Sequence, residues 1–425
     1  MKPTVIIIGA GAAGLMAATE LCNQYHVIIL EALPRIGGRI HSIKSDDGII
    51  EAGAEFVHGN LPVTQMLLKK AGIDYVEISG EMYRKKDGHL AVVKEMTEGW
   101  DRLMQEMNQL KEDCTMEELL QKHFIGPENE LLRKNVQSYA AGFDLADISK
   151  VSVKALCDEW NAEEEENYRI PAGYSALINF LQHQSIEAGV SIQINSQVKT
   201  VQWERGVVKL QTINGQQYTV DKLLVTVPIS ILQQSLSKGH IEFLPVLDLI
   251  ENNAVNIGFG AVIKVILQFR KAFWQEDAGF ILSNEIFPTW WTQLPDKIPR
   301  LTGWVGGPPA AAISNDTDSV ILQKALASLA AIFNIGILDL EKELVQSWVF
   351  NWQKSEFVIG GYSYPTLNAE AAKSALTTPI EQTLFFAGEA LYSGDHPGTV
   401  EAALDSGMRA ASLIKKANEH SNFIL

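Results

Sequence analysis

The chain has 425 residues, 46% hydrophobic and 20% charged, with a formal net charge of −16. This is globular composition with room for two or three domains, and its acidity excludes nucleic acid as the expected partner, because phosphate binding needs basic clusters. Cys22, Cys114 and Cys157 show no CxxC or Cys/His spacing, which sets aside a disulfide framework and a metal site and points to a reducing cytoplasm.

The opening stretch, VIIIGAGAAGLMAATEL, reads as a strand over 4–8, a glycine turn and a helix over 12–24, with a strand over 26–30 behind it. This βαβ parse accounts for the apolar N-terminus without a signal peptide. No stretch holds the ~18 apolar residues of a membrane span, so no membrane partner is expected. Gly9, Gly11 and Gly14 stand in GxGxxG spacing, with Ala13 inside the turn. The first glycine permits the tight turn, the second lets a pyrophosphate approach the backbone, and the third allows close packing of helix on strand. Glu31 ends the second strand, where an acid would take ribose hydroxyls. Arg35, Gly37, Gly38 and Arg39 follow at once. A second glycine pair lets the backbone pass close to a dinucleotide larger than NAD, and Arg39 would offset pyrophosphate charge.

Residues 97–145 are helix-rich, with a capping box at Thr115 and Glu118. The acidic run 163–166 reads as a solvated helix face near a possible entrance. A helix is expected over 173–188, then strands over 197–204, 207–212, 217–220 and 223–227, with NGQ at 214–216 as a hairpin turn. FGAVIKVILQF (259–269) alternates so that Val262, Lys264, Ile266 and Gln268 share one face. From the stretch alone that face is a solvated one or an edge guard. Strands follow over 301–305 and 345–351, then LFFAGEA (384–390), a glycine-rich turn and a helix over 399–417. The two kinds of segment interleave, which predicts two domains of non-contiguous pieces.

GxGxxG, Glu31 and GGRI together resemble the FAD-binding entry of the flavin-containing amine oxidase family, which includes monoamine oxidases, polyamine oxidases, L-amino-acid oxidases and flavin histone demethylases. Four more stretches extend the match in order: EAGAEFVHG (51–59), IPAGYSALINFL (170–181), VTVPISIL (225–232) and LFFAGEALYSGDHPGTVEAALDSGMRAA (384–411). Residues 95–160 carry no motif of this kind. The resemblance implies an α/β fold, a Rossmann-like FAD-binding domain with an interleaved α+β substrate domain (the amine oxidase / p-hydroxybenzoate hydroxylase-like architecture). The division expected is 1–77, 166–236 and 371–425 for FAD, and 78–165 and 237–370 for substrate.

Residue by residue, the resemblance gives the ADP half of FAD to Gly9, Gly11, Ala13, Gly14, Glu31, Arg35, Gly37, Gly38 and Arg39. It puts the adenine at the Val198 backbone, the segment Gly53, Ala54, Glu55 and Phe56 beneath the flavin, and Gly388 and Glu389 at the diphosphate and ribityl chain. Thr399 and Val400 begin a helix whose amides would face the flavin pyrimidine. Lys264 matches the family's lysine, which holds a water against flavin N5. Trp352 and Tyr362 match its aromatic wall, and Thr399 stands where monoamine oxidases close a two-tyrosine cage. Gly361 occupies the place of the cysteine that attaches flavin covalently, so FAD is expected to be non-covalent. Glu55 departs from L-amino-acid oxidases and is expected to repel a carboxylate and attract a second ammonium; an ordinary structural hydrogen bond is the other reading. His58 matches a histidine of animal polyamine oxidases.

The implied reaction needs a neutral amine, whose pKa is about 10. A hydride equivalent passes from the carbon beside nitrogen to flavin N5, the imine hydrolyses, and dioxygen becomes hydrogen peroxide. The expected partners are a small amine and dioxygen; a homo-oligomer is compatible with the sequence. The alternatives are an L-amino-acid oxidase and a non-catalytic module of the Rab-escort type, against which the C-terminal FAGE…GTVEAAL argues.

Overall fold

The computed structural model describes residues 2–86, 88–93, 97–162, 166–234 and 237–421. Thr4–Ile8 is the middle strand of a five-stranded parallel sheet, in the order Ser191–Gln193, His26–Leu30, Thr4–Ile8, Lys222–Val225, Leu384–Phe386. Its strands are apolar on both faces because both faces are covered. Val5, Ile7, Val27 and Ile29 pack under the helices Ala12–Leu21, Ser175–Glu187 and Val400–Ser421, while Ile6, Ile8, Leu223 and Val225 meet Val201, Val208 and Leu210. Those last three belong to a four-stranded sheet whose hairpins pair as expected. Its fourth strand, Glu242–Leu244, lies beyond the expected division at 236 and runs parallel to Thr200–Gln202.

A seven-stranded sheet is ordered Leu344–Asn351, Val262–Phe269, Arg300–Gly306, Thr289–Trp291, Ala278–Leu282, Glu81–Lys86, His89–Val92. The last four strands were not anticipated: they are short or polar, and glycine and paired tryptophans break their alternation. The strand 262–269 is internal, hydrogen-bonded on both sides, and all of it is buried. Ile263, Val265, Leu267 and Phe269 pack against the helix Asp318–Phe333. The opposite face, with Lys264 and Gln268, is covered by protein, so the solvated-face and edge readings both fail.

The segment without a motif forms helices Trp100–Asn108, Met116–His123, Glu130–Gly142 and Val153–Ala162 around Leu103, Leu119, Val136 and Leu156. The capping box at Thr115 and Glu118 forms in both directions. Of the acidic run, residues 163–165 lie outside the described residues. Among the described residues no single helix is long and apolar enough to cross a membrane.

Candidate active site

The glycine turn folds as its spacing requires. Gly9 has φ +107, and a Cβ on Gly14 would stand 2.0 Å from the Gly9 carbonyl oxygen, so helix and strand touch there. Gly11 is different. Nothing lies within 4 Å of where its Cβ would be; Gly38 would meet only the Gly11 Cα at 3.6 Å, and Gly388 only the Val227 carbonyl oxygen at 3.8 Å. Three glycines from three segments thus border open room, the cradle a dinucleotide pyrophosphate needs. Glu31 holds the turn itself, its two oxygens accepting from the amides of Ala10 (2.7 Å) and Leu33 (2.8 Å). Burial raises its pKa against those amides, and its remaining lone pairs suit ribose hydroxyls.

Arg35 is turned inward. It donates to the carbonyls of Gly38, Ile36 and Ile40 and so shapes the second glycine loop. Arg39 and Glu389, 350 residues apart, form an ion pair at 2.8 Å, and Arg39 also donates to the Gly361 carbonyl. Glu389 in turn accepts from the Ser363 amide at 2.9 Å. Val198 is buried at the start of its strand, where the register to Thr212 is irregular. Thr399 caps the last helix: its hydroxyl accepts from the Ala402 amide (3.1 Å) and donates to the His396 carbonyl, placing the first-turn amides that begin at Val400 beside it.

Lys264 is 1% exposed. Its ammonium donates to Glu55 Oε2 at 2.5 Å and to the Gly53 carbonyl at 3.2 Å, and lies 5.5 Å over the Trp291 ring. Glu55 Oε1 accepts from Arg169 and from the Trp291 indole, both at 3.0 Å. Burial pushes the Glu55 pKa upward, but Lys264 and Arg169 outweigh it and leave the carboxyl below its ordinary value. The expected free acid beside the flavin is therefore met within the protein: one carboxylate faces two cations, and both its oxygens are engaged.

Trp352 donates to the Ala52 carbonyl (2.9 Å) and lies against Gly53, where an added Cβ would come within 3.2 Å of its ring. Tyr362 lies on Gly398, and its hydroxyl donates to the Phe143 carbonyl. Burial holds the Tyr362 pKa well above its ordinary value, so it is neutral. Phe56, His58, Phe143 and Tyr139 continue an aromatic row from Trp291, each ring 5.4–6.0 Å from the next. His58 Nδ1 lies 2.5 Å from Asn167 Oδ1, and burial lowers its pKa. The sequence reading missed Arg169, Trp291, Phe143 and Glu51. Only Glu51 carried a signal, as the first acid of EAGAE.

A dinucleotide cradle that runs to a buried lysine and an aromatic row is the arrangement of a cofactor-dependent oxidoreductase. The family model for flavin containing amine oxidoreductases matches residues 12–415, and the chain belongs to that family. Its cofactor is FAD, which the three open glycines and Glu31 fit. The human lysine-specific histone demethylase 2 is 28% identical over 97% of this chain and 53% of its own length; the chain thus spans about half of that relative. Polyamine oxidase 2 of Arabidopsis thaliana is 27% identical over 96% of this chain and 87% of its own. In fold, a putrescine oxidase bound to putrescine superposes with a TM-score of 0.82 at 19% identity, covering 98% of this chain and 99% of that one. A cyclohexylamine oxidase from Brevibacterium oxydans also gives 0.82, at 18% identity, covering 99% and 100%.

Proposed function

We propose that the protein is an amine oxidase acting on a small primary amine, diamine or polyamine, with dioxygen as the electron acceptor and hydrogen peroxide as a product. The observation that carries this reading is Lys264, a buried ammonium fixed between the Gly53 carbonyl and Glu55. FAD, held non-covalently, supplies the two-electron chemistry. The chain's own residues do the rest. Gly11, Gly38 and Gly388 leave room for the pyrophosphate, Glu31 takes the ribose, and the amides behind Thr399 favour negative charge at their end of the ring. Tyr362 and Trp352 wall the amine site, and aromatic faces hold an alkylammonium by cation–π contact. Neutral His58 and the aromatic row exclude water from the carbon to be oxidised.

The test is a peroxide-coupled screen of monoamines, putrescine, spermidine, spermine and amino acids. Peroxide from amines but not from amino acids is expected; turnover of amino acids alone would replace this reading with the L-amino-acid oxidase one.

A further inference from the structure

Beside the Lys264–Glu55 pair lies a cleft of about 100 Å³. Its mouth is at Gly48, Pro171, Asp296 and Ile298, and Glu51, Glu55, Ile266, Arg300 and Thr302 line its buried end. That volume holds about three waters at ~30 Å³ each, and the lining is polar enough to order them. Two carboxylates thus line one cleft that opens to the surface. Glu51 is fixed there by the Ser42 hydroxyl (2.8 Å) and the Tyr174 amide (2.6 Å).

Oxidation of an ammonium substrate by dioxygen is balanced in protons: R–CH2–NH3⁺ + O2 gives R–CH=NH2⁺ + H2O2. Peroxide takes up two electrons and two protons. One proton leaves the substrate carbon with the electron pair; the other equals the one the ammonium must give up first. That second proton must be delivered in the oxidative half of the reaction, whether or not it is the one the ammonium gave up. Resting on the amine-oxidase reading above, we infer that Glu51, loaded from the surface through the cleft, supplies that proton past Glu55, making Glu51 a proton-storing residue of the oxidative half-reaction.

The groups facing Glu51 are consistent with that task. Lys264 and Arg169 bring positive charge from neighbouring strands, Glu55 brings negative charge, Arg300 stands across the cleft and Asp296 sits at the mouth. Burial, opposed by the Tyr174 amide, Ser42 and Lys264, pushes the Glu51 pKa up to about 7, so it loads and unloads at neutral pH.

The test uses the FAD-loaded protein, reduced by dithionite without oxygen and then mixed with oxygenated buffer, so that no amine is involved. Wild type is expected to reoxidise with a titration near pH 7. Glu51→Gln keeps the hydrogen-bond acceptor and is expected to slow reoxidation about tenfold and to lose that titration, while anaerobic reduction by amine is unchanged. In the cofactor-free protein, the infrared band of a protonated carboxyl that titrates near pH 7 should vanish in the same variant. Should Glu51→Gln not fold, Thr302→Leu, which fills the cleft, is expected to slow reoxidation and leave reduction intact. A wild-type pH profile in Glu51→Gln, or a persistent carboxyl band, overturns the inference. Failure of every amine to reduce the protein overturns the amine-oxidase reading instead, and the dithionite experiment still decides the role of Glu51.

Discussion

Glu55 stands between two cations, and what a substitution costs depends on which partner goes. Glu55→Gln leaves Lys264 and Arg169 buried and facing each other without a counter-charge, which costs about 3–5 kcal/mol. Lys264→Met leaves Glu55 with Arg169 and the Trp291 indole still in place, so the loss is expected to be roughly half as large. Urea unfolding of the two variants checks this; equal losses would show that the charges do not act as a triad. In stopped flow, Lys264→Met should retain FAD but reoxidise markedly more slowly. At Glu51 the sign of the pH effect is fixed by the direction of the shift. A carboxyl whose pKa is raised on folding stabilises the fold below its ordinary value of 4.5 and loses that contribution as pH rises through about 7. Thermal unfolding should therefore show Glu51→Gln gaining on wild type between pH ~5 and pH ~8; a constant difference in Tm would contradict it. Lys264 was legible as a lysine out of place in an apolar strand. Its partner was not, because an ion pair between residues 209 apart is made by tertiary folding, and no local pattern marks it.

Among the elements, the glycine turn separates cofactor binding from folding. Gly14→Ala would drive a Cβ into the Gly9 carbonyl and should destabilise the cofactor-free protein by about 2 kcal/mol. Gly11→Ala meets nothing in the protein, so its cofactor-free stability should stay within about 0.5 kcal/mol of wild type, while FAD affinity falls about tenfold or more. Thermal unfolding and a fluorescence titration with FAD distinguish the two; loss of stability in Gly11→Ala would mean that the turn has no open side. The central strands were readable because continuous β-branched runs have few other solutions. Ala278–Leu282 and Thr289–Trp291 were not, because short strands of mixed pattern take their conformation from neighbours already in the sheet. Arg300, which ties the seven-stranded sheet to the Ile49 carbonyl and donates to the Gln268 side-chain oxygen, was likewise hidden.

For the whole molecule, Gly361 lies against Leu145 and Val262 with no nucleophile in its own side chain. Cys22 lies in the core under the parallel sheet, and Cys114 and Cys157 belong to the helical cluster. Acid precipitation is therefore expected to release all the flavin into the supernatant; yellow colour left on the pellet would refute non-covalent binding. Added FAD should also raise Tm with concentration, as a ligand of the folded state must. The interleaving of segments was visible from motif order, but the sheet joining Glu242–Leu244 to Thr200–Gln202 was not, because a parallel partner across a long connection leaves no local signature.

The last helix packs on the first so closely that a Cβ on Gly407 would stand 2.3 Å from the Ala13 carbonyl oxygen. The helix Ala12–Leu21 thus finds this neighbour only when about 380 further residues have been synthesised. At roughly 5–20 residues per second, the side of it that meets the last helix waits tens of seconds for cover. Fragments stopped before Val400 should accumulate with chaperones or aggregate, and the protein's yield in a cell should depend on translation speed more than its final stability suggests.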